Sequence, residues 1–323
     1  MNRAGEKYLS FNRSTILFAA LLMLTTFSSA QLAGTPGAFS RMGFGARGMG
    51  MGNALTAVKT GENSGYYNPA AVALLKAHNA SMSYGILSLD RSLNSIFYAM
   101  PIDTNAGLAF GILNAGVSNI DGRDMDGFKT ETYSVSENQF SLSFALRVRK
   151  LTIGITTKLY YFSLFDKLSS TGAGFDFGVI YPITSNLMVA GTLKDINSKY
   201  RWDTSDLYGQ LGNSTIDKFP ARQTAGVSYV FDGMIGLLSA EIEHSNKATT
   251  IIRAGGEISP IDAVTLRAGI DGWDLKKSEQ AHPSFGFTIR TDYTDWKPSV
   301  NYAYILEPYG LFSIHVISLS IKL

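Results

Sequence analysis

From about residue 78 to the C-terminus, apolar and polar residues alternate with a period of two. In 139–149, Phe140, Leu142, Phe144, Leu146 and Val148 share one face, and Ser141, Ser143, Ala145, Arg147 and Arg149 the other. The next segment sets Leu151, Ile153, Ile155, Leu159 and Tyr161 against Thr152, Gly154, Thr156, Lys158 and Tyr160. Further on, Val264, Leu266, Ala268 and Ile270 oppose Thr265, Arg267 and Gly269, and the chain closes on Ile317, Leu319, Ile321 and Leu323 against Ser318, Ser320 and Lys322. Successive side chains of a strand point to opposite faces, so the pattern predicts strands with one greasy and one polar side. Fourteen such segments are read, near 78–87, 91–101, 104–115, 136–149, 151–163, 172–182, 186–194, 221–231, 236–246, 249–259, 262–271, 282–293, 296–306 and 311–323.

A soluble sandwich also alternates. Here the segments run to about ten residues, the length a tilted strand needs to cross a bilayer. Their polar side is Gly, Ser and Thr with isolated charges, which suits a wet lumen, and their number is even. Connections alternate in length. Short ones fall at 100–103, 149–150, 181–184, 259–262 and near 231–233, long ones at 116–135, 195–220 and 272–281. Pro101-Ile102-Asp103, Pro182-Ile183-Thr184 and Pro260-Ile261-Asp262 repeat one hairpin device, in which proline fixes φ and withholds a ladder donor. The expected fold is all-β: a 14-stranded antiparallel transmembrane β-barrel over 78–323.

The first thirty residues support export. Arg3, Lys7 and Arg13 precede an apolar run from Ile16 to Phe27, and Ser28-Ser29-Ala30 supplies small residues for cleavage after Ala30. Residues 1–30 are thus expected to be a signal peptide and the cell outer membrane the destination. Beyond them no apolar run reaches the length of a spanning helix, so a membrane form must be a closed barrel. Composition agrees: 32 Gly, 16 Tyr and 19 Phe accompany only 17% charged residues. With no cysteine there are no disulfides or thiolate metal sites. A net charge of +2 gives no reason to expect nucleic acid as a partner.

Residues 31–77 do not alternate. They are Gly-rich, then Ala- and Leu-rich, with Asn68 placed to cap a short helix that begins at Pro69. A partly helical, apolar segment ahead of a barrel is expected to be a hatch filling the lumen. Gly45-Ala-Arg-Gly-Met-Gly-Met-Gly-Asn-Ala-Leu-Thr-Ala-Val58 and Tyr66-Tyr-Asn-Pro-Ala-Ala-Val-Ala73 resemble the start of the PorV/PorQ group of outer-membrane proteins, relatives of the FadL/OmpP1 long-chain fatty-acid transporters. His315-Val-Ile-Ser-Leu-Ser320 resembles that group's closing strand. The resemblance covers both ends of the chain and implies a hatch motif at Gly45, Gly48, Gly50, Gly52, Asn68, Pro69 and Ala70.

Candidate chemistry is sparse. Gly43-x-Gly45-x-x-Gly48 follows no strand, so it is no dinucleotide fingerprint. His78, His244, His282 and His315 are scattered without metal-ligand spacing. His244-Ser245-Asn246 are adjacent and cannot converge as a triad. No catalytic residue, cofactor or metal is expected, and the chain reads as a non-enzyme. By parity Arg147, Arg149, Lys158, Glu241, Glu243, Arg253, Glu257, Arg267 and Arg290 face the lumen, where their mixed signs suit a brace for the hatch better than an ion-selective pore. Trp202 and Trp273 fall in expected outer loops and are candidate partner contacts. Resemblance to PorV/PorQ implies a part in type IX secretion, with the C-terminal domains of secreted cargo or other secretion components as partners besides outer-membrane lipid. The alternative is a FadL-like transporter of a hydrophobic ligand.

Overall fold

The computed structural model describes residues 34–59, 61–165, 168–231, 236–247, 249–274, 281–291, 296–307 and 313–323. The expected signal segment lies outside them, as do the turn at 232–235 and most of the 272–281 loop. The chain after the hatch forms β1 (Asn79–Ile86), β2 (Arg91–Asp103), β3 (Ala106–Arg123), β4 (Lys129–Val148), β5 (Leu151–Phe165), β6 (Leu168–Pro182), β7 (Leu187–Ile196), β8 (Lys199–Asp203), β9 (Ser214–Lys218), β10 (Arg222–Phe231), β11 (Gly236–Ser245), β12 (Thr250–Ile261), β13 (Val264–Asp274), β14 (His282–Arg290), β15 (Ser299–Ile305) and β16 (Ile314–Lys322).

Every wall strand pairs antiparallel with its neighbours, and β1 pairs β16 over its whole length, Asn79 opposite Lys322 and Ile86 opposite His315. Reciprocal bonds between His78 and Leu323 complete the seam. The sheet is therefore a closed 14-strand barrel, with β8 and β9, between β7 and β10 in sequence, as a hairpin that pairs onto the loop end of β6. Closure is required because lipid offers no partner to the N–H and C=O groups of an open edge.

The alternation sets the two faces. On β4, Phe140, Leu142, Phe144, Leu146 and Val148 are exposed on the outer wall, while Gln139, Ser143 and Ala145 are buried within. Five alternate positions of a strand tilted about 40° rise roughly 20 Å, close to the apolar band of a membrane barrel. A polar row ends this band. Asn94, Asn114 and Asn138 stand side by side on β2, β3 and β4, with Asn94 donating to Asn114 at 3.0 Å and Asn114 to Asn138 at 2.8 Å. Tyr84 and Tyr161 extend the row on β1 and β5. Amides and phenols at one height mark a membrane–water interface.

Two expected loops contain strands. Residues 116–135 are mostly the paired tips of β3 and β4, with Ile120 opposite Tyr133 and Arg123 opposite Lys129. These tips stand beyond the Asn row, so neither face meets lipid and the apolar alternation that reveals the other strands is absent. The 195–220 segment folds into the β8–β9 hairpin and the short helix Ser205–Tyr208. The short connections, such as Thr104-Asn105 and Arg149-Lys150, gather at one end of the barrel with His78 and Leu323; the long ones gather at the other. Two of the Pro-Ile segments sit at ladder irregularities, between Pro101 and Asp103 and between Ile258 and Ile261, where a missing donor is tolerated.

The seam gives a direct test. Ser83 and Ser318 are opposite partners of β1 and β16. In this cysteine-free chain, S83C/S318C should oxidise to a disulfide with no loss of the folded, fast-migrating species on unboiled gels. Free thiols in the folded protein would mean that the sheet is not closed there.

Candidate functional site

Residues 38–59 and 61–75 lie inside the barrel and touch the wall in two ways. The segment after Asn68 is held by close backbone approach. Wall glycines stand where it crosses: a Cβ on Gly107 or Gly154 would run into the backbone of Val72 or of Pro69 and Ala70, and one on Gly178 into the Asn68 side chain. Asn68 is fully buried. Its Nδ2 donates to Thr56 O at 2.8 Å and to Val179 O of β6 at 3.2 Å, and its Oδ1 accepts from Ala70 N at 2.9 Å. Asn68 thus caps the 3₁₀ turn Pro69–Leu74 and ties it to the wall. Of the hatch glycines, Gly45 and Gly52 adopt φ of 83° and 59°, conformations that a side chain disfavours. Gly48 lies under the Tyr67 ring, and Gly50 faces Arg267.

The segment before Asn68 is held by polar bonds to β10–β16. Arg47 forms a two-bond pair with Glu257, its Nε at 3.0 Å and its Nη2 at 2.5 Å. Asn53 donates to Asp271 at 2.7 Å, Thr56 N to Glu241 at 3.0 Å and Ala46 N to Ser318 at 2.7 Å. Glu62 accepts from Asn301 and Ser320.

Behind these contacts an ionic belt runs round the inner wall. Lys158 on β5 binds Asp176 at 2.7 Å and Asp195 at 2.9 Å. Arg222 on β10 joins Asp195 at 2.7 Å to Glu243 at 3.2 Å. Arg253 on β12 reaches Glu241 at 3.1 Å, Glu243 at 3.2 Å and Asp271 at 2.5 Å. Two irregularities in the ladder supply key acids. At the β6–β7 bulge, Lys194 and Asp195 both turn inward, Asp195 with φ of 59°. At the β12–β13 irregularity, Asp271 precedes Gly272, whose φ is 66°.

Of the charges assigned to the lumen by parity, Lys158, Glu241, Glu243, Arg253 and Arg267 are buried in the barrel, and Glu257 is nearly so. Arg147 and Arg290 sit at the turn end: Arg147 bonds to the Thr104-Asn105 turn, and Arg290 reaches Thr265 and Ser259. Arg149 does not face the lumen. It occupies the β4–β5 turn with φ of 57°, where strand parity no longer applies. Asp176, Lys194, Arg222 and Asp271 keep the inward parity of their own strands and are legible from it, although the sequence reading does not name them. Asp195 is beyond that reasoning, because the bulge turns it to the same side as Lys194.

The loop half of the interior has a different character. Phe39, Phe44 and Tyr66 of the hatch meet Phe97, Tyr160 and Phe162 of the wall and Tyr200, Trp202 and Phe219 from the segment that follows β7. Ring centroids are 5.4 Å apart for Phe44–Tyr66, 4.8 Å for Tyr160–Phe219 and 5.1 Å for Phe162–Trp202. Leu87, Leu93, Ile305 and Ile314 extend this apolar cluster around the wall. Trp202 is therefore not a free loop side chain: it packs inward on the β8–β9 hairpin, and its indole N–H donates to Asp217 at 2.9 Å. Trp273 is part of β13, paired with Ile252, rather than of a loop. Near the turn end a cavity of about 240 Å³ opens between Val58, Lys59 and Arg47 of the hatch and Met188, Leu237 and Glu257 of the wall. Among the described residues no group of acids and histidines could hold a metal ion.

No protein-family model matches the sequence, and a search of curated proteins finds no match. Solved structures do match. The Pseudomonas putida toluene transporter TodX superposes with a TM-score of 0.61 at 14% identity over 87% of this chain and 96% of its own. A Pseudomonas aeruginosa FadL homologue gives 0.59 at 12% identity over 86% and 97%. CymD, a monoaromatic hydrocarbon channel, gives 0.60 at 14% identity over 87% and 97%. At these identities the likeness establishes the fold alone, a closed 14-strand barrel of the architecture these structures share.

The ionic belt predicts unequal costs around the lumen. Arg253→Leu strips three acids of their shared partner and should destabilise the fold by about 3–5 kcal/mol, the range for breaking a buried ion pair. Arg147→Ala, at the exposed rim, should leave stability near wild type. The temperature at which the folded species is lost on gels measures both, and equal shifts would contradict the belt's role.

Proposed function

We propose that this barrel lies in the outer membrane and admits small hydrophobic molecules, which enter at the loop end and are received by the aromatic cluster there. That cluster carries this reading. Aromatic and aliphatic side chains from hatch, wall and outer segment converge in one half of a lumen that is otherwise polar. A pore for hydrated solutes keeps a polar, open interior, and the mixed charges of the belt suit no single ion sign. The fold it shares with a toluene transporter and a hydrocarbon channel is in keeping with such cargo.

A second reading, cargo attachment of the PorV/PorQ kind in type IX secretion, is favoured by one observation. Apolar side chains stand bare at the loop end: Met125 and Phe128 at the β3–β4 tip, and Tyr208 and Leu211 beyond β8. Such tips suit contact with another protein.

Uptake separates the two. In cells with an intact lipopolysaccharide leaflet, expression of the protein should raise the initial rate of N-phenyl-1-naphthylamine fluorescence severalfold over cells lacking it. No increase would overturn the passage reading. No increase together with co-purification of secreted C-terminal domains would establish the second.

A further inference from the structure

The cavity of about 240 Å³ at the turn end has a chemistry of its own. One part of its lining is apolar: Val58 of the N-terminal segment, Met188 of β7, Val230 of β10 and Leu237 of β11. An apolar cavity of about 150 Å³ takes up benzene, so this one has room for a single ring with a substituent. Ser185 and Asn186, in the turn between β6 and β7, stand at its edge and place its mouth at the turn end.

The rest of the lining is polar, and almost all of it is bonded within the protein. Arg47 and Glu257 hold each other by two bonds. Ser228 donates to Ala57 O at 2.8 Å, Ser259 meets Thr265 at 2.7 Å, and Asn186 accepts from Ser185 and donates to Val230 O at 3.0 Å. Lys59 is the exception. It is half-buried, lines the cavity, and has no hydrogen-bond or ion-pair partner among the described residues. The surroundings are positive as well. Arg267 lies 3.8 Å from Glu257, and Arg290 donates to Ser259 at 3.4 Å. Arg47, Lys59, Arg267 and Arg290 thus face the carboxylates of Glu257 and of Glu62, and Glu62 is held by Asn301 and Ser320.

We propose that this cavity is a binding site for a small amphipathic carboxylate of about the size of benzoate, its ring among the apolar side chains and its carboxylate accepting from Lys59. Each half of the lining excludes a simpler ligand. A neutral hydrocarbon would cover the Lys59 ammonium without giving it an acceptor, which is costly. A hydrated inorganic anion would leave the apolar half in water. The site goes beyond the passage reading and does not rest on it, because it lies at the opposite end of the barrel from the aromatic cluster.

Isothermal titration calorimetry on the full-length protein in a zwitterionic detergent tests the site with sodium benzoate, benzyl alcohol and sodium sulfate. Benzoate should saturate a single site. Benzyl alcohol, a ring without the charge, and sulfate, a charge without the ring, should each bind about tenfold more weakly. K59M should weaken benzoate binding by about tenfold, the loss of one charge-assisted hydrogen bond, and K59R should restore it to within about twofold of wild type. V230F, which fills the apolar half and leaves Lys59 in place, should abolish binding. Lys59 has no partner to lose, so K59M should keep the wild-type folded-species stability, and its effect reports on the site. Absence of benzoate saturation overturns the proposal. So does equal affinity in K59M, or benzyl alcohol or sulfate binding as tightly as benzoate. Dye uptake is read separately: its failure leaves benzoate binding standing, and failure of benzoate binding leaves the passage reading standing.

Discussion

Backbone amides in hydrocarbon have no solvent to bond to, and most of this structure follows from that. The sheet must close, so β1 meets β16 in full register. A closed sheet in lipid is inverted relative to a soluble protein, with Phe140, Leu142 and Phe144 facing out and Lys158, Arg222 and Arg253 facing in. Inward charges must then find partners inside. They do so across strands rather than along them, which is why one acid, Asp195, serves two bases from β5 and β10.

The hatch turns that polar lumen into a site. Its two segments are fixed by different physics. Residues 68–74 rest backbone to backbone on wall positions that have no side chain, an arrangement with little freedom to shift. Residues 46–59 and Glu62 hang on hydrogen bonds and an ion pair to the wall. Between the segments lies Tyr66, and above it the polar lumen gives way to an aromatic one. The departures from a regular ladder coincide with this junction: the β7 bulge delivers Asp195, and the irregularity at Asp271-Gly272 lies beside the acid that binds both Asn53 and Arg253.

Much of this was legible in the sequence because lipid and lumen impose a period of two on every wall strand. All fourteen wall segments are legible that way. Legibility ended where that environment ends. The tips of β3 and β4 have water on both faces and read as loop. The β8–β9 hairpin is five residues a side, too short to show a period, and hides Tyr200 and Trp202 from view. Arg149 was misassigned by extending parity into a turn. Asp195 is invisible because a bulge breaks parity. The aromatic cluster cannot be read at all, since its residues come from the N-terminal segment, wall and outer segment and meet only in three dimensions.

The central claim is that the barrel is filled by its own N-terminal segment, seated on wall glycines and the ionic belt. Ion conductance in planar bilayers tests it most directly. The purified protein should leave the bilayer at its baseline leak, while a G154V/G178V double variant, which denies Pro69 and Asn68 their seats, should produce discrete channel openings. Steady open channels from the wild-type protein would contradict the account.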